Sequence, residues 1–502
     1  LGVRWQSAVL ALALFLSFAL ITTRIVERSP YGDEALVAVP AWNLALHGYA
    51  GTTVLARKTL PWKGIGQRTY NVLPGGLLYL APWFLVFPAT IIVTRLAFLL
   101  WAAVLLASCF LFLRSLTASL TQATLAVILF SLHFSFILAA SKARVDVMAA
   151  ALGMASLASY VELRMRSLKL ATLAASALAV AACLTHPQGV LYAVCLVILA
   201  AALDRRSFSA VHYALAAVPL AVCGAVWLWY VAQDPAAAVS QLIQNSNRQG
   251  RLPQSFNPWH ALSREIFKRY LYRDVAASGT PVGMLILLLI TLASAVIIVR
   301  TRSLRRQPGV RLLLLLSATI LTLETLLENS KERVYLIHAE IFYSALIAVF
   351  ALHYWQAGQW RRRLAVLAVA IYLGINVGGV AVRLREDFNE LSEVGFRSAL
   401  AFLQAHGSPR DLVSADRTFW FDCCGAGHNL VEDPELGVTT GLTPEYFVNS
   451  LHLNQERMTD LDKYRKEDPA LLRSVQERAN QFQLIYDYAG YQIYRRRLTQ
   501  IP

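Results

Sequence analysis

Asp33 and Glu34 stand side by side in YGDEALVAVPAWNLALHGYA, just after the first long apolar run of the chain. Carboxylates are costly at the edge of a bilayer and need a reason to be there. One reason is chemical, because a carboxylate at that level can take the proton of an acceptor hydroxyl. The other is structural, since acidic residues also favour the first turn of a helix. By themselves the two residues do not choose between these uses.

Three further clusters carry complementary groups. SKARVD sets Lys142, Arg144 and Asp146 at a junction between apolar runs, and THPQG sets His186 where one run ends and the next begins. ENSKERVYLIHAE brings Lys331, Arg333, Tyr335, His338 and Glu340 to the start of a late run, and the first loop adds Arg57, Lys58, Lys63 and Arg68. Arg and Lys can hold a phosphate by charge-assisted hydrogen bonds and neutralise charge on it as it leaves. The same residue types have plainer uses at span ends, where Lys and Arg snorkel and Tyr anchors the interface.

Elements must carry these groups to one level. Of the 502 residues, 57% are hydrophobic and 15% charged, with a mean hydropathy of +0.49. Apolar segments fall near 7–22, 74–88, 91–113, 121–140, 146–162, 169–185, 187–203, 209–231, 281–300, 310–328, 334–354 and 362–382. Runs of that length imply an α-helical polytopic membrane protein of about 11–13 transmembrane helices. The first run lacks a small-residue cleavage site before Arg24, so it reads as a helix and not as a signal peptide. A net charge of +15 would suit nucleic acid in a soluble protein. Here the cations gather in short loops, so no nucleic-acid partner is expected.

Placing 162–169, 204–206, 300–311 and 360–363 in the cytoplasm is self-consistent. The outer loops 23–72 and 232–280, the short segments 141–146, 185–189 and 329–333, and everything after 383 then face outward. Residues 73–113 must cross an odd number of times although they read as two runs. Pro74, Pro82 and Pro88 make the first of these a partial or re-entrant element. Residues 1–382 read as the transmembrane domain and 383–502 as a small C-terminal soluble α/β domain. In the latter, Leu384–Gln404 has helical spacing, Asp411–Ala415 reads as a strand, and Phe482–Tyr488 with Gly490–Tyr494 reads as a strand pair. The six cysteines lack metal-ligand spacing, and Cys423 beside Cys424 is open to a free pair or a vicinal disulfide.

The chain resembles the GT-C membrane glycosyltransferases, in particular the group of protein O-mannosyltransferases and lipid A aminoarabinose transferases. The resemblance covers roughly residues 1–380. It rests on GDEALVAVPAWNLALHGYA as the first outer loop, YNVLPGGLLYLAPWFLVF as the proline-containing second segment, SKARVDVMAAALGMASLASYVELRMRS and SKERVYLIHAEIFYSALIAVF. It implies a sugar donor linked to polyprenyl phosphate, a hydroxyl acceptor on a lipid, glycan or protein, and inverting transfer. The site would face the periplasmic or extracellular side of the cytoplasmic (inner) membrane. Asp33 would be the catalytic base, Glu34 a supporting or metal-binding group, and Asp146 the acidic residue of the second outer loop. Lys142, Arg144, Lys331, Arg333 and Tyr335 would contact phosphate, with His186 and His338 as weaker candidates.

The family's Lys-Pro-Pro element is replaced here by Tyr70–Asn71–Val72–Leu73–Pro74, so Lys63 or Arg68 would have to substitute. No Asp-x-Asp pair stands in the outer loops. Metal-independent transfer without a cofactor is therefore expected, with a divalent metal left open. The loop 232–280, with Gln241, Asn245, Asn247 and Trp259, would cover the site, hold acceptor or merely connect. The alternative from another class is a transporter or flippase of a lipid-linked or anionic solute, which calls for charges deep in the spans and pseudo-symmetric halves.

Overall fold

The computed structural model describes residues 3–55, 62–248, 257–271, 281–328, 331, 333–389, 391–408, 410–425, 429–433, 435–450 and 468–497. Among them, nine helices are long and apolar enough to cross a membrane, or ten if one bent pair is a single span. The protein is a multi-pass membrane protein. Its contacts divide it into two compact units.

The first unit comprises Leu1–Val26, Leu96–Ala232 and Ser246–Arg385. Its long helices include α1 (Val3–Glu27), α4 (Ile91–Thr117) from Leu96 onward, α7 (Val145–Leu163), α8 (Leu168–Thr185), α10 (Ala210–Ala232), α13 (Pro281–Arg300) and α15 (Pro308–Leu327), with α16 (Ile337–Gln356) and α17 (Gln359–Asn389) as far as Arg385 following. Every residue of α16 from Ile337 to Ala351 is buried. A helix that is apolar all round belongs inside a bundle, and α16 supplies much of this unit's core.

The apolar run at 121–140 is broken in two. α5 (Leu120–Ser131) and α6 (Phe134–Ala140) meet at 65°. Two backbone amides at the break are satisfied by side chains. His133 Nδ1 accepts from Ser135 N–H at 3.2 Å, and Asn376 Oδ1 accepts from Phe134 N–H at 2.9 Å. The run at 187–203 becomes the shorter helix α9 (Gly189–Asp204).

The second unit comprises Glu27–Arg95, Gln233–Asn245 and Glu386–Pro502. It holds α2 (Gly32–His47), α3 (Pro74–Val86), α18 (Leu391–His406) and a five-stranded mixed sheet. The strands are β1 (Leu412–Ser414), β2 (Asn429–Val431), β3 (Tyr446–Asn449), β4 (Phe482–Tyr488) and β5 (Tyr491–Arg496), in spatial order β2-β1-β3-β5-β4. β1 runs parallel to β2 and β3, whereas β5 is antiparallel to both β3 and β4. The strand at 411–415 and the pair at 482–494 thus occur where alternation predicts them. α3 is only 13 residues long and carries Pro82 inside it, in keeping with a partial element.

The backbone of α7 comes unusually near a side chain of α9. A Cβ placed on Gly153 of α7 would lie 2.2 Å from the Tyr192 ring of α9, and Tyr192 is fully buried. Gly153→Val should therefore destabilise the protein by about 1–3 kcal/mol through overpacking. Thermal unfolding in detergent would show a lowered Tm, and an unchanged Tm would contradict the packing described.

Candidate active site

Asp33 sits in the first turn of α2, half-buried, in the second unit. Glu34 next to it is fully buried and has a different occupation. Arg95 Nε and Nη2 donate to its two carboxylate oxygens, each at 2.8 Å, and Tyr31 N–H donates to Oε2 at 2.7 Å. Arg95 also donates to the carbonyls of Arg28 and Ser29 at 2.7 and 2.8 Å. A bidentate guanidinium–carboxylate pair of this kind is shielded from solvent and fully engaged. These contacts tie Glu34 to Arg95 and to the turn before α2. The turn is further held by Glu393, which accepts from Ser29 N–H at 2.6 Å.

The Arg417 side chain packs against Gly32, where a Cβ would meet its Nε at 2.8 Å. A glycine before Asp33 thus lets a guanidinium lie along the start of α2. Lys63 is exposed and Arg68 half-buried. Their carbonyls accept from Gln241 Nε2 at 2.9 and 3.0 Å, while Gln241 Oε1 accepts from Tyr70 N–H at 2.7 Å. Gln241, wholly buried, is thus a tie for the first loop. Arg57, Lys58 and the side chains of Cys424, Asn245 and Asn247 lie outside the described residues.

In the first unit, four of the expected residues converge. Arg144 Nε donates to Asp146 Oδ2 at 2.6 Å, and His186 Nε2 stands 3.4 Å from Asp146 Oδ1. The His186 ring lies 5.4 Å from the Tyr335 ring, tilted by 36°. Asp146 is buried at the head of α7. Fixed by an arginine on one oxygen, it is better suited to orienting Arg144 and His186 than to taking a proton. His338 is fully buried, and its Nδ1 pairs with Tyr192 Oη at 3.0 Å. Lys142 stands half-buried in the turn before α7.

Lys331 is placed otherwise. Its ammonium is enclosed, with Glu265 Oε2 at 2.9 Å and the carbonyls of Glu324 and Thr325 at 3.1 and 2.5 Å. Burial pulls it below the usual lysine range, against the opposing pull of Glu265. With three acceptors around it, the ammonium ties Glu265 to the end of α15. Arg269, in the π-helical turn Glu265–Leu271, joins the same cluster. Its Nη1 meets Glu265 and Glu324 at 2.9 Å, and its Nη2 meets Glu328 at 2.8 Å. Burial acts against its charge, yet Glu324, Glu265 and Glu328 hold it above its ordinary value. Arg333 Nε donates to the Arg269 carbonyl at 3.0 Å.

A cleft opens among these residues, lined by His186, Gln188, Leu191, Glu324, Glu328 and Tyr335 with a few apolar neighbours. Arg95, Arg269, Glu265, Glu324 and Gln188 were not among the sequence candidates. For Arg95 and Glu324 the signal was present, since each interrupts an apolar run and an ionisable residue there needs a partner. Among the described residues no group of three or more His, Cys, Asp and Glu side chains is placed to hold a metal ion.

No family model matches the chain, and no curated protein matches it by sequence. Solved structures do match. ArnT from Cupriavidus metallidurans bound to undecaprenyl phosphate superposes with a TM-score of 0.58 at 14% identity, covering 100% of this chain and 99% of that one. The Archaeoglobus fulgidus oligosaccharyltransferase in its apo form gives 0.58 at 13% identity, covering 100% and 75%. AglB from Archaeoglobus fulgidus, in complex with an inhibitory peptide and a dolichol-phosphate, gives 0.56 at 11%, covering 99% and 75%. The chain has the GT-C fold. The likeness extends through the C-terminal sheet, beyond the region that carries the sequence resemblance.

Substitution at Glu34 and Arg95 tests whether this pair is structural. Glu34→Gln or Arg95→Met leaves one buried charge unmatched and should cost about 3–5 kcal/mol. Glu34→Leu combined with Arg95→Met should recover much of that loss in thermal unfolding. Full stability in Glu34→Gln together with lost activity would instead return Glu34 to the chemistry.

Proposed function

We propose that this protein is a membrane glycosyltransferase that moves a sugar from a polyprenyl-phosphate donor to a hydroxyl acceptor at the outer face of the cytoplasmic membrane. The observation that carries this reading is the fold shared along the whole chain with ArnT and AglB, whose structures hold undecaprenyl phosphate and dolichol-phosphate. The grouping of Arg144, His186 and Tyr335 about Asp146 supports it, because these side chains offer the N–H and O–H donors that a phosphate requires.

In this reading the acceptor hydroxyl attacks the anomeric carbon while the bond from that carbon to the phosphate oxygen breaks. The bonding electrons leave with the lipid phosphate, and the hydroxyl proton passes to the Asp33 carboxylate. A single displacement of this kind inverts the anomeric centre. Asp33 serves as base rather than Asp146, because Asp146 is buried against a guanidinium. Arg144 and His186 oppose the charge that develops on the departing phosphate.

The assay is sugar transfer by the purified protein in lipid nanodiscs from polyprenyl-phosphate-linked donors. Asp33→Asn should lower turnover by about 10²–10⁴-fold while leaving the fold intact. Transfer at the normal rate would remove Asp33 from the chemistry. Solute uptake without transfer by the unaltered protein would favour the transporter.

A further inference from the structure

Gln188 occupies the N-cap position of α9 but does not cap it, and its side chain makes no bond to the helix. It is 9% exposed, and neither its amide nitrogen nor its amide oxygen has a hydrogen-bond partner among the described residues. Both atoms belong to a side chain that lines the cleft. An orphaned buried carboxamide costs stability, so it is retained at a loss unless something else uses it.

Glu324 lies on the facing helix and is 1% exposed. Its Oε2 is fixed by Arg269 at 2.9 Å, whereas its Oε1 has no hydrogen-bond partner among the described residues. Two side chains that line the cleft beside His186, Glu328 and Tyr335 thus carry one amide donor, one amide acceptor and one carboxylate acceptor without a hydrogen-bond partner among the described residues. Of the ion cluster, the carboxylates Glu324 and Glu328 line the cleft, while their partner Arg269 is fully buried. That wall opposes a carboxylate on a ligand. Its geometry suits hydroxyl groups, which donate and accept at once.

We infer that this cleft receives the sugar of the lipid-linked donor and that Gln188, with Glu324, selects a sugar without a carboxylate by hydrogen-bonding its hydroxyl groups. The inference rests on the proposed glycosyl transfer and narrows its substrate class. Gln188 is the specificity-determining residue, since Glu324 has a second duty in the ion cluster. A donor sugar bearing a carboxylate would meet Glu324 and Glu328 and be rejected.

The test is direct binding to the full-length protein in nanodiscs, with polyprenyl phosphate alone and with its mannosyl, glucosyl, galactosyl and glucuronosyl forms. At least one neutral form should bind about tenfold tighter than the bare lipid phosphate, and the glucuronosyl form should not. Gln188→Leu and the straight-chain Gln188→Met should abolish that tenfold increment. Both should leave bare-lipid affinity unchanged and hold or raise Tm, because no bond in the fold is lost. Sugar-dependent binding unaltered in both variants would overturn the inference. So would equal binding of neutral and glucuronosyl forms, no neutral form exceeding the bare lipid, or a fall in Tm. Absent turnover with sugar-dependent binding intact would sink glycosyl transfer and leave the cleft assignment standing. Normal turnover with an unchanged KM in Gln188→Leu would do the reverse.

Discussion

Withdrawing a carboxylate or a guanidinium from water costs several kcal/mol, which an interior recovers only by matching each charge with a partner in good geometry. Each unit of this protein is organised by that requirement. In the second unit, Arg95 spans Glu34 and the carbonyls of Arg28 and Ser29, so one guanidinium fixes the turn that leads into α2. The half-buried Asp33 inherits its position from that turn. In the first unit, Arg269 and Lys331 gather Glu265, Glu324 and Glu328. That cluster joins the π-helical turn at 265–271 to the end of α15 and shapes the wall of the cleft.

These pairs separate two kinds of polar group. The engaged ones, such as Glu34 and Lys331, have every strong contact made inside the chain and hold the frame. The others have bonding capacity that no partner among the described residues consumes. Gln188 and one oxygen of Glu324 are of this second kind. His186 and Tyr335, which line the same cleft, stand between, with Asp146 and Arg144 tied to His186. A frame that is rigid because its charges are matched can hold a few unmatched groups in place.

The helical architecture was legible because spans are long and apolar, and their ends fall within a few residues of the composition shifts. The break after Ser131 was not, since it depends on Asn376, 242 residues beyond the Phe134 amide it receives. Glu34 misleads for a similar reason. Its role is set by Arg95, which sits 61 residues away within another apolar run. Lys331 looks like a phosphate ligand because sequence shows a cation at a span end but not that Glu265 encloses it. Arg144 and Asp146, two residues apart, are legible as neighbours, whereas Gln188 gives no sign beyond its place in THPQG. An unmet hydrogen bond is a property of three-dimensional surroundings and leaves no mark in spacing.

Cleavage of the bond between a sugar and a polyprenyl phosphate by this chain can be seen by incubating the purified protein in nanodiscs with sugar-linked polyprenyl phosphates and candidate hydroxyl acceptors, then resolving the lipid fraction by mass spectrometry. Bare polyprenyl phosphate should accumulate in step with a glycosylated acceptor of inverted anomeric configuration. Recovery of every donor lipid intact, whether in place or moved to the opposite leaflet, would rule out glycosyl transfer.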